Sequence, residues 1–420
     1  MTTARRVALA LLLGACSLGA TSAQAQYPAP GGAWGAPEPM LYNGPAQGYD
    51  DPGYGACPPE QRLTFHDGLR TEVPDDGLSL PHPSFFTGGG FLRAEYLNYN
   101  LSGPGDTLLG APVLGNPDPS QPFVIFTPGT NFPSTVGRVP DLLSVDLRDT
   151  NGVRVSGGLE LTHGDSIEIS AFMLEQKKSG YVVENLGQND FFFGLPTSIV
   201  TSVYANGALT DLFFIYNQRF AAIYQSQLWG AEGNYLIDYD VDGLLHCRPM
   251  VGLRYINLRE RLGQYGVFQE LAPVAPFETL IESKTTNHLG GGQIGTRIEF
   301  VTQLIEFGAE AKFMVLSNTM LAEVETQNVR FAGDPRVFTE DLTTQLAGGV
   351  DLLGWATLNV HPNMSLRIGY NFMYLANITR PEDNIYYNET GINNPAGIVV
   401  DMHRQDFNMY GVSLGADFRW

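Results

Sequence analysis

Ten stretches of this chain alternate apolar and polar residues at every second position, and the segments joining them are short and long in strict alternation. The stretches are 88–100, 151–162, 165–176, 220–238, 247–262, 286–301, 304–318, 343–360, 364–378 and 405–420. Four joins are short: His163-Gly164, Tyr239 to His246, Thr302-Gln303 and His361 to Asn363. Five are long: 101–150, 177–219, 263–285, 319–342 and 379–404. Successive side chains of a strand point to opposite faces, so a period of two reads as strand. Sorting short turns to one end and long loops to the other is the signature of a transmembrane up-and-down antiparallel β-barrel, with short periplasmic turns and longer external loops. A soluble sandwich has no reason to sort its connections. Residues 197–217 could hold one further hairpin, which would raise the count to about 12.

The last stretch shows the pattern most cleanly. Tyr410, Val412, Leu414, Ala416, Phe418 and Trp420 share one face, and Met409, Gly411, Ser413, Gly415, Asp417 and Arg419 share the other. Such a strand suits a lipid-facing wall, although alternation alone also fits a sandwich with its apolar face turned inward. Most of the stretches exceed the roughly 9–11 residues that a tilted strand needs to cross a bilayer. After the first residues no run of 18 apolar residues occurs, so a spanning structure would have to be a closed barrel, which pairs every backbone group in lipid.

The first residues read as an export signal. Arg5 and Arg6 precede an apolar run from Val7 to Leu13, and Ala23-Gln24-Ala25 supplies a cleavage site, giving a signal peptide over 1–25. Leu13-Gly14-Ala15-Cys16 offers the competing reading of a lipidated Cys16. Residues 26–86 are rich in Pro, Gly and Tyr and cannot bury a core, so they read as a disordered periplasmic linker ahead of a barrel over 87–420. Cys57 and Cys247 are too few for a disulfide framework, though one bridge between them is conceivable. With 44 acidic and 24 basic residues the formal charge is −20, which disfavours nucleic acid as a partner.

Several segments carry a resemblance. They are Gly90-Phe91-Leu92-Arg93-Ala94-Glu95-Tyr96-Leu97, Trp229-Gly230-Ala231-Glu232-Gly233-Asn234, Gly252-Leu253-Arg254-Tyr255-Ile256-Asn257-Leu258-Arg259-Glu260, Arg380-Pro381-Glu382-Asp383-Asn384-Ile385 and Gly415-Ala416-Asp417-Phe418-Arg419-Trp420. In this order they resemble the planctomycete-type family of putative outer-membrane β-barrel porins, the seventh of the putative porin series. The likeness runs over about 88–420, and Glu382 stands where the family usually has Gly. The resemblance implies a barrel in the cell outer membrane and a porin-like role. It brings no substrate, cofactor or catalytic residue.

The face opposite the apolar one predicts a charged lumen lined by Arg93, Glu95, Arg154, Glu160, Glu232, Arg254, Arg297, Glu299, Glu310, Lys312, Arg367, Asp417 and Arg419, with Glu168, Glu306 and Asp351 beside them. Buried charges must pair or meet water. Ten strands lie near the size at which side chains fill a barrel, so a narrow or gated lumen for small solutes or ions is expected rather than a wide channel. The alternative is a plugged, anchoring barrel whose external loops bind partners. Inward glycines, Gly158, Gly230, Gly252, Gly295, Gly308, Gly369 and Gly415, are read as making room for long Arg side chains, and Trp229, Tyr255, Tyr370, Tyr374 and Trp420 as belonging to aromatic girdles. The aromatic end of the last strand, Tyr410, Val412, Leu414, Phe418 and Trp420, resembles the signal read by the barrel-insertion machinery. The apolar loop segment Phe191 to Pro196 could fold over the mouth or simply pack among the loops. No Ser-His-acid set, metal cluster or phosphate loop is apparent, and Asp401-Met402-His403 is the nearest approach to an acid–His pair. The chain is therefore read as a non-enzyme without cofactor or metal.

Overall fold

The computed structural model describes residues 86–420 apart from 115–120, 127–131, 162–163, 187–190, 193, 241–243, 270–274, 392–393 and 395–396. The segments read as a signal peptide and a linker, with Cys16 and Cys57, lie outside the described residues up to residue 85.

Ten strands close into one antiparallel barrel: β1 (Phe86–Leu101), β2 (Thr150–Leu161), β3 (Ser166–Leu174), β4 (Arg219–Leu236), β5 (Leu245–Phe268), β6 (Phe277–Val301), β7 (Ile305–Gln327), β8 (Val337–His361), β9 (Met364–Ile378) and β10 (Gln405–Arg419). Each pairs with its neighbours in sequence, and β1 closes on β10 with Arg93 opposite Asp417. Closure removes every sheet edge, as a barrel in lipid must.

The buried face decides between barrel and sandwich. A sandwich would bury the apolar face, whereas here the apolar positions are exposed and the charged ones buried. Ile294 is 64% exposed, Val315 62% and Leu414 52%, against 7% for Arg254 and 8% for Arg297. Exposed apolar surface all round a wall has no place in water, so the belt faces lipid.

The strands at the external end are longer than the alternation suggested. The segments 263–285 and 319–342 are not loops for most of their length. β5 runs to Phe268 and β6 starts at Phe277, while β7 runs to Gln327 and β8 starts at Val337. A 25-residue strand such as β6 reaches about 80 Å, far beyond a bilayer, so these two hairpins stand out as ribbons. In their outer halves the apolar residues, Leu262, Ile281, Met320 and Val324, lie on the buried inner face and the charges, Lys284, Glu323, Glu325 and Glu340, on the outward one, which reverses the pattern of the lipid belt. The segment Lys177–Glu184 is likewise strand, continuing β3 along β4 after a one-residue slip at Glu175-Gln176.

The suspected hairpin within 197–217 exists, as Leu195–Ala205 against Ala208–Tyr216, but it stays off the barrel wall. Asn206 and Gly207, both with positive φ, make its two-residue turn. Its first strand pairs in parallel with Pro133–Arg138, which in turn pairs with Phe123–Phe126, so the external loops build a small sheet of their own. The backbone of Phe191–Phe192 folds against Leu195 and Pro196 at the margin of this sheet.

Candidate functional site: a filled lumen and its plug

The lumen divides into layers set by strand alternation. At the periplasmic end an open vestibule of about 340 Å³ is lined by Glu160, His246, Arg248, Glu299, Glu306 and Arg419, among others. Arg419 bonds Glu306 at 3.0 Å, and Arg248 reaches both Glu299 at 3.2 Å and Asp238 at 3.0 Å. Glu160 and Arg419 are exposed at this mouth rather than enclosed.

Above the vestibule the charges interlock. Arg297 donates from both Nη atoms to Glu168 at 2.6 Å and from Nε to Glu310 at 2.7 Å. Lys312 links Glu310, at 2.6 Å, to Glu232, at 2.7 Å. Arg254 links Glu232, at 3.3 Å, to Asp351, at 2.5 Å, and Asn371 closes the chain on Asp351 at 2.7 Å. Beside it Arg93 makes a two-pronged bond to Asp417 at 2.6 and 2.9 Å. Arg154 and Arg367 flank Glu95 at 3.6 and 3.9 Å.

Arg93, Arg154, Arg254, Arg297, Lys312 and Arg367 thus face Glu95, Glu168, Glu232, Glu310, Asp351 and Asp417, and the formal charges cancel. Only about 40 Å³ of free space remains among them, room for one or two waters. Each ion is costly to desolvate, and the mutual pairing offsets that cost.

The inward glycines serve this layer differently from the sequence reading. Gly308 leaves space for Trp355, whose ring lies 2.0 Å from where a Cβ would stand, and Gly158 does the same for Phe91 at 2.3 Å. Aromatic rings occupy the room at Gly158, Gly230 and Gly308, whereas Asn234, Ser413 and Glu95 come close at Gly252, Gly369 and Gly415, and no Arg side chain is among the nearest atoms at any of them. The guanidinium of Arg367 then stacks over Trp355 at 4.2 Å.

Next comes a dry layer built from Leu97, Leu228, Ile256, Leu258, Leu289 and Leu316, each with no exposure. It belongs to one apolar cluster that continues into the loops through Leu109, Leu142, Leu147, Tyr216, Tyr387 and Ile398. Wall and loops therefore share a core across the top of the lumen.

Within that top lies a group the sequence reading did not single out. β9 ends in a register slip between Leu375 and Ile378, with Asn377 at φ +57°, and the chain then turns inward. Arg380, extended because Pro381 follows it, is 2% exposed. It donates to both carboxylate oxygens of Glu260 at 2.9 Å and to the backbone oxygens of Ser102 and Gly103 at 3.0 and 3.1 Å. Its Nη2 also donates to the Tyr224 hydroxyl at 3.0 Å, which donates in turn to Glu382 at 2.9 Å. Asn287 fastens the same segment through the backbone of Thr379, at 2.8 and 2.9 Å. Burial, with the nearby Glu260 carboxylate, pushes the Glu382 carboxyl up to about 7 against the pull of Arg380. In the sequence, Arg380 to Ile385 stands out only by its family resemblance. A charged Arg-Pro-Glu-Asp run in a segment read as an external loop gives no sign that it is buried.

The acid–His pair does not assemble. His403 Nδ1 meets the backbone oxygen of Asp401 at 2.9 Å, not its carboxylate. Among the described residues no group of His, Cys, Asp and Glu is arranged to hold a metal ion, and Cys247 is free.

Residues 351–420 match the family model described as Putative beta barrel porin-7 (BBP7), so the resemblance holds over the last strands. No curated protein matches the chain. Similar solved structures include the outer membrane protease OmpT from Escherichia coli, at 10% identity and TM-score 0.44, covering 80% of this chain and 98% of that one. A Pseudomonas aeruginosa FadL homologue follows at 9% identity and TM-score 0.23, covering 79% and 90%. The P. putida toluene transporter TodX stands at 8% identity and TM-score 0.21, covering 80% and 90%. Barrel closure, the lipid-facing belt and the family match together place the chain in the outer membrane as a β-barrel.

Proposed function

We propose that this outer-membrane barrel is a porin-like conduit that rests shut, and that small solutes or ions pass its charged lumen only when the 379–404 segment moves. The observation that carries this reading is the Arg380–Glu260–Tyr224–Glu382 latch. It holds an external segment inside the lumen by polar bonds to wall residues, and such bonds can be exchanged for water. The lumen line comprises the charges named above, from Arg93 at the closure to Arg419 at the mouth. They balance rather than favour one sign, which suits small solutes of either charge better than a strongly selective pore. Catalysis is left out of this reading: among the described residues His403 meets the backbone oxygen of Asp401 and not its carboxylate. The reading includes an export signal over 1–25, a spacer over 26–86, and recognition of the outward face of β10 (Tyr410, Val412, Leu414, Phe418 and Trp420) by the insertion machinery.

A second reading, an anchoring barrel with a permanent plug, draws on the apolar cluster shared by wall and loops. Liposome swelling separates the two. Vesicles holding the refolded protein should swell slowly in small sugars, and Arg380→Ala should accelerate swelling severalfold. A folded Arg380→Ala barrel that stays as tight as the parent would refute the gated conduit and leave the anchor.

A further inference from the structure

The outer wall carries a cationic patch that the shut-lumen reading does not use. On β4, β5 and β6 the lipid belt ends in a hydrogen-bonded group: Trp229 donates to Asn257 at 3.0 Å, and Tyr255 bonds His288 at 2.7 Å. Trp229 and Tyr255 also lie ring to ring at 5.2 Å. This is the amphipathic composition of a membrane–water boundary. Four residues above Tyr255, Arg259 points outward and is exposed. Arg261 follows on the same face, with Lys284 directly across on β6. Lys178 stands two strands away, opposite Gln225, which is itself opposite Arg261.

Glu282 binds both Arg261 and Lys284, and Glu323 lies across from Lys284. Among the described residues Arg259 and Lys178 have no acidic partner. On a chain of formal charge −20, two free cations and a half-exposed third just above an aromatic boundary form a local field of the opposite sign.

We propose that this face binds the phosphorylated headgroup of an anionic membrane lipid, with Arg259, Lys178 and Arg261 on the phosphate. Trp229 and Tyr255 lie along the upper acyl chain. Charge complementarity selects the headgroup, and the continuous apolar belt below, with Leu253 at 45% and Ile294 at 64% exposure, receives the chains. A soluble anion would lack that second contact. A zwitterionic headgroup carries its own cation, which the patch repels.

The test is native mass spectrometry of the refolded chain in a neutral detergent, titrated with short-chain phosphatidylglycerol. Phosphatidylcholine of the same chain length and inorganic phosphate serve as separate arms. Phosphatidylglycerol should stay bound at concentrations where the other two do not. Arg259→Glu with Lys178→Glu should weaken it at least tenfold, while Arg148→Glu, on a separate exposed loop pair, should not. Arg259→Gln and Lys178→Gln singly, checked by the heat-dependent gel shift, guard against loss of folding. Equal retention of phosphatidylcholine, equal binding by the reversed variant, or displacement by inorganic phosphate at matching concentration would overturn the lipid assignment.

Discussion

The residue that most governs this molecule is Arg380. All three nitrogens of its guanidinium are engaged: Nε on Glu260, Nη1 on the Gly103 backbone oxygen, and Nη2 shared among Glu260, the Ser102 backbone oxygen and the Tyr224 hydroxyl. Arg380→Met would leave Glu260 buried without its counter-charge. Breaking a buried pair from one side costs about 3–5 kcal/mol. The plug should loosen before the wall does, so limited proteolysis should cut within 379–404 in the variant while the barrel still shows its heat-dependent gel shift. Glu382 makes the same latch sensitive to pH. Buried, its carboxyl titrates at about 7 rather than 4.5. Below 4.5 the group is neutral whether the plug is seated or free, so closure bears no charge penalty. As pH rises through 7 it ionises in place beside Glu260, and that contribution to closure is lost. Protease sensitivity of 379–404 should therefore rise from pH 5 to pH 8, and Glu382→Gln should flatten the profile. An unchanged profile in Glu382→Gln would assign the effect elsewhere.

At the scale of the strand, alternation decides which face meets lipid. Leu414→Arg would set a guanidinium in the apolar belt opposite Tyr96 and Ile368. An outward Arg near mid-bilayer destabilises a barrel by about 2–4 kcal/mol. Urea titration of the folded protein in vesicles should show that loss, whereas Leu414→Val, which keeps the outward face apolar, should cost far less. Gly308→Val should be worse than its surface would suggest, because the added atoms collide with the Trp355 ring. This level was the most legible in the sequence. The period of two in 364–378 and 405–420 placed β9 and β10 within one residue of their ends, because lipid on one side and charge on the other leave no freedom in the pattern. It failed where that constraint lapses. Beyond the membrane the inner face of β5 to β7 is buried and apolar, at Leu262, Ile281, Met320 and Val324, while the outward face turns polar at Arg261, Lys284, Glu323 and, on β8, Glu340, so the pattern changes sides and the ribbons read as loops. Which charges pair inside the barrel was not legible, since Arg297 and Glu168 come from β6 and β3, 129 positions apart.

For the whole molecule, a small barrel and a large set of loops combine to make a filled object. Ten strands give an interior that side chains can span. Six cations and six carboxylates bridge it near the periplasmic end, leucines and isoleucines dry it above, and the loops share that dry core. The central claim is that the resting lumen is shut, by the charged layer below and by the 379–404 segment above, and that opening begins when that segment moves. Single-channel recording in a planar bilayer tests this most directly, with the heat-dependent gel shift establishing that the barrel has formed. The account predicts a silent baseline at pH 5, brief openings at pH 8, and sustained steps for Arg380→Met at either pH. Steady conductance by the unaltered protein at pH 5 would contradict it.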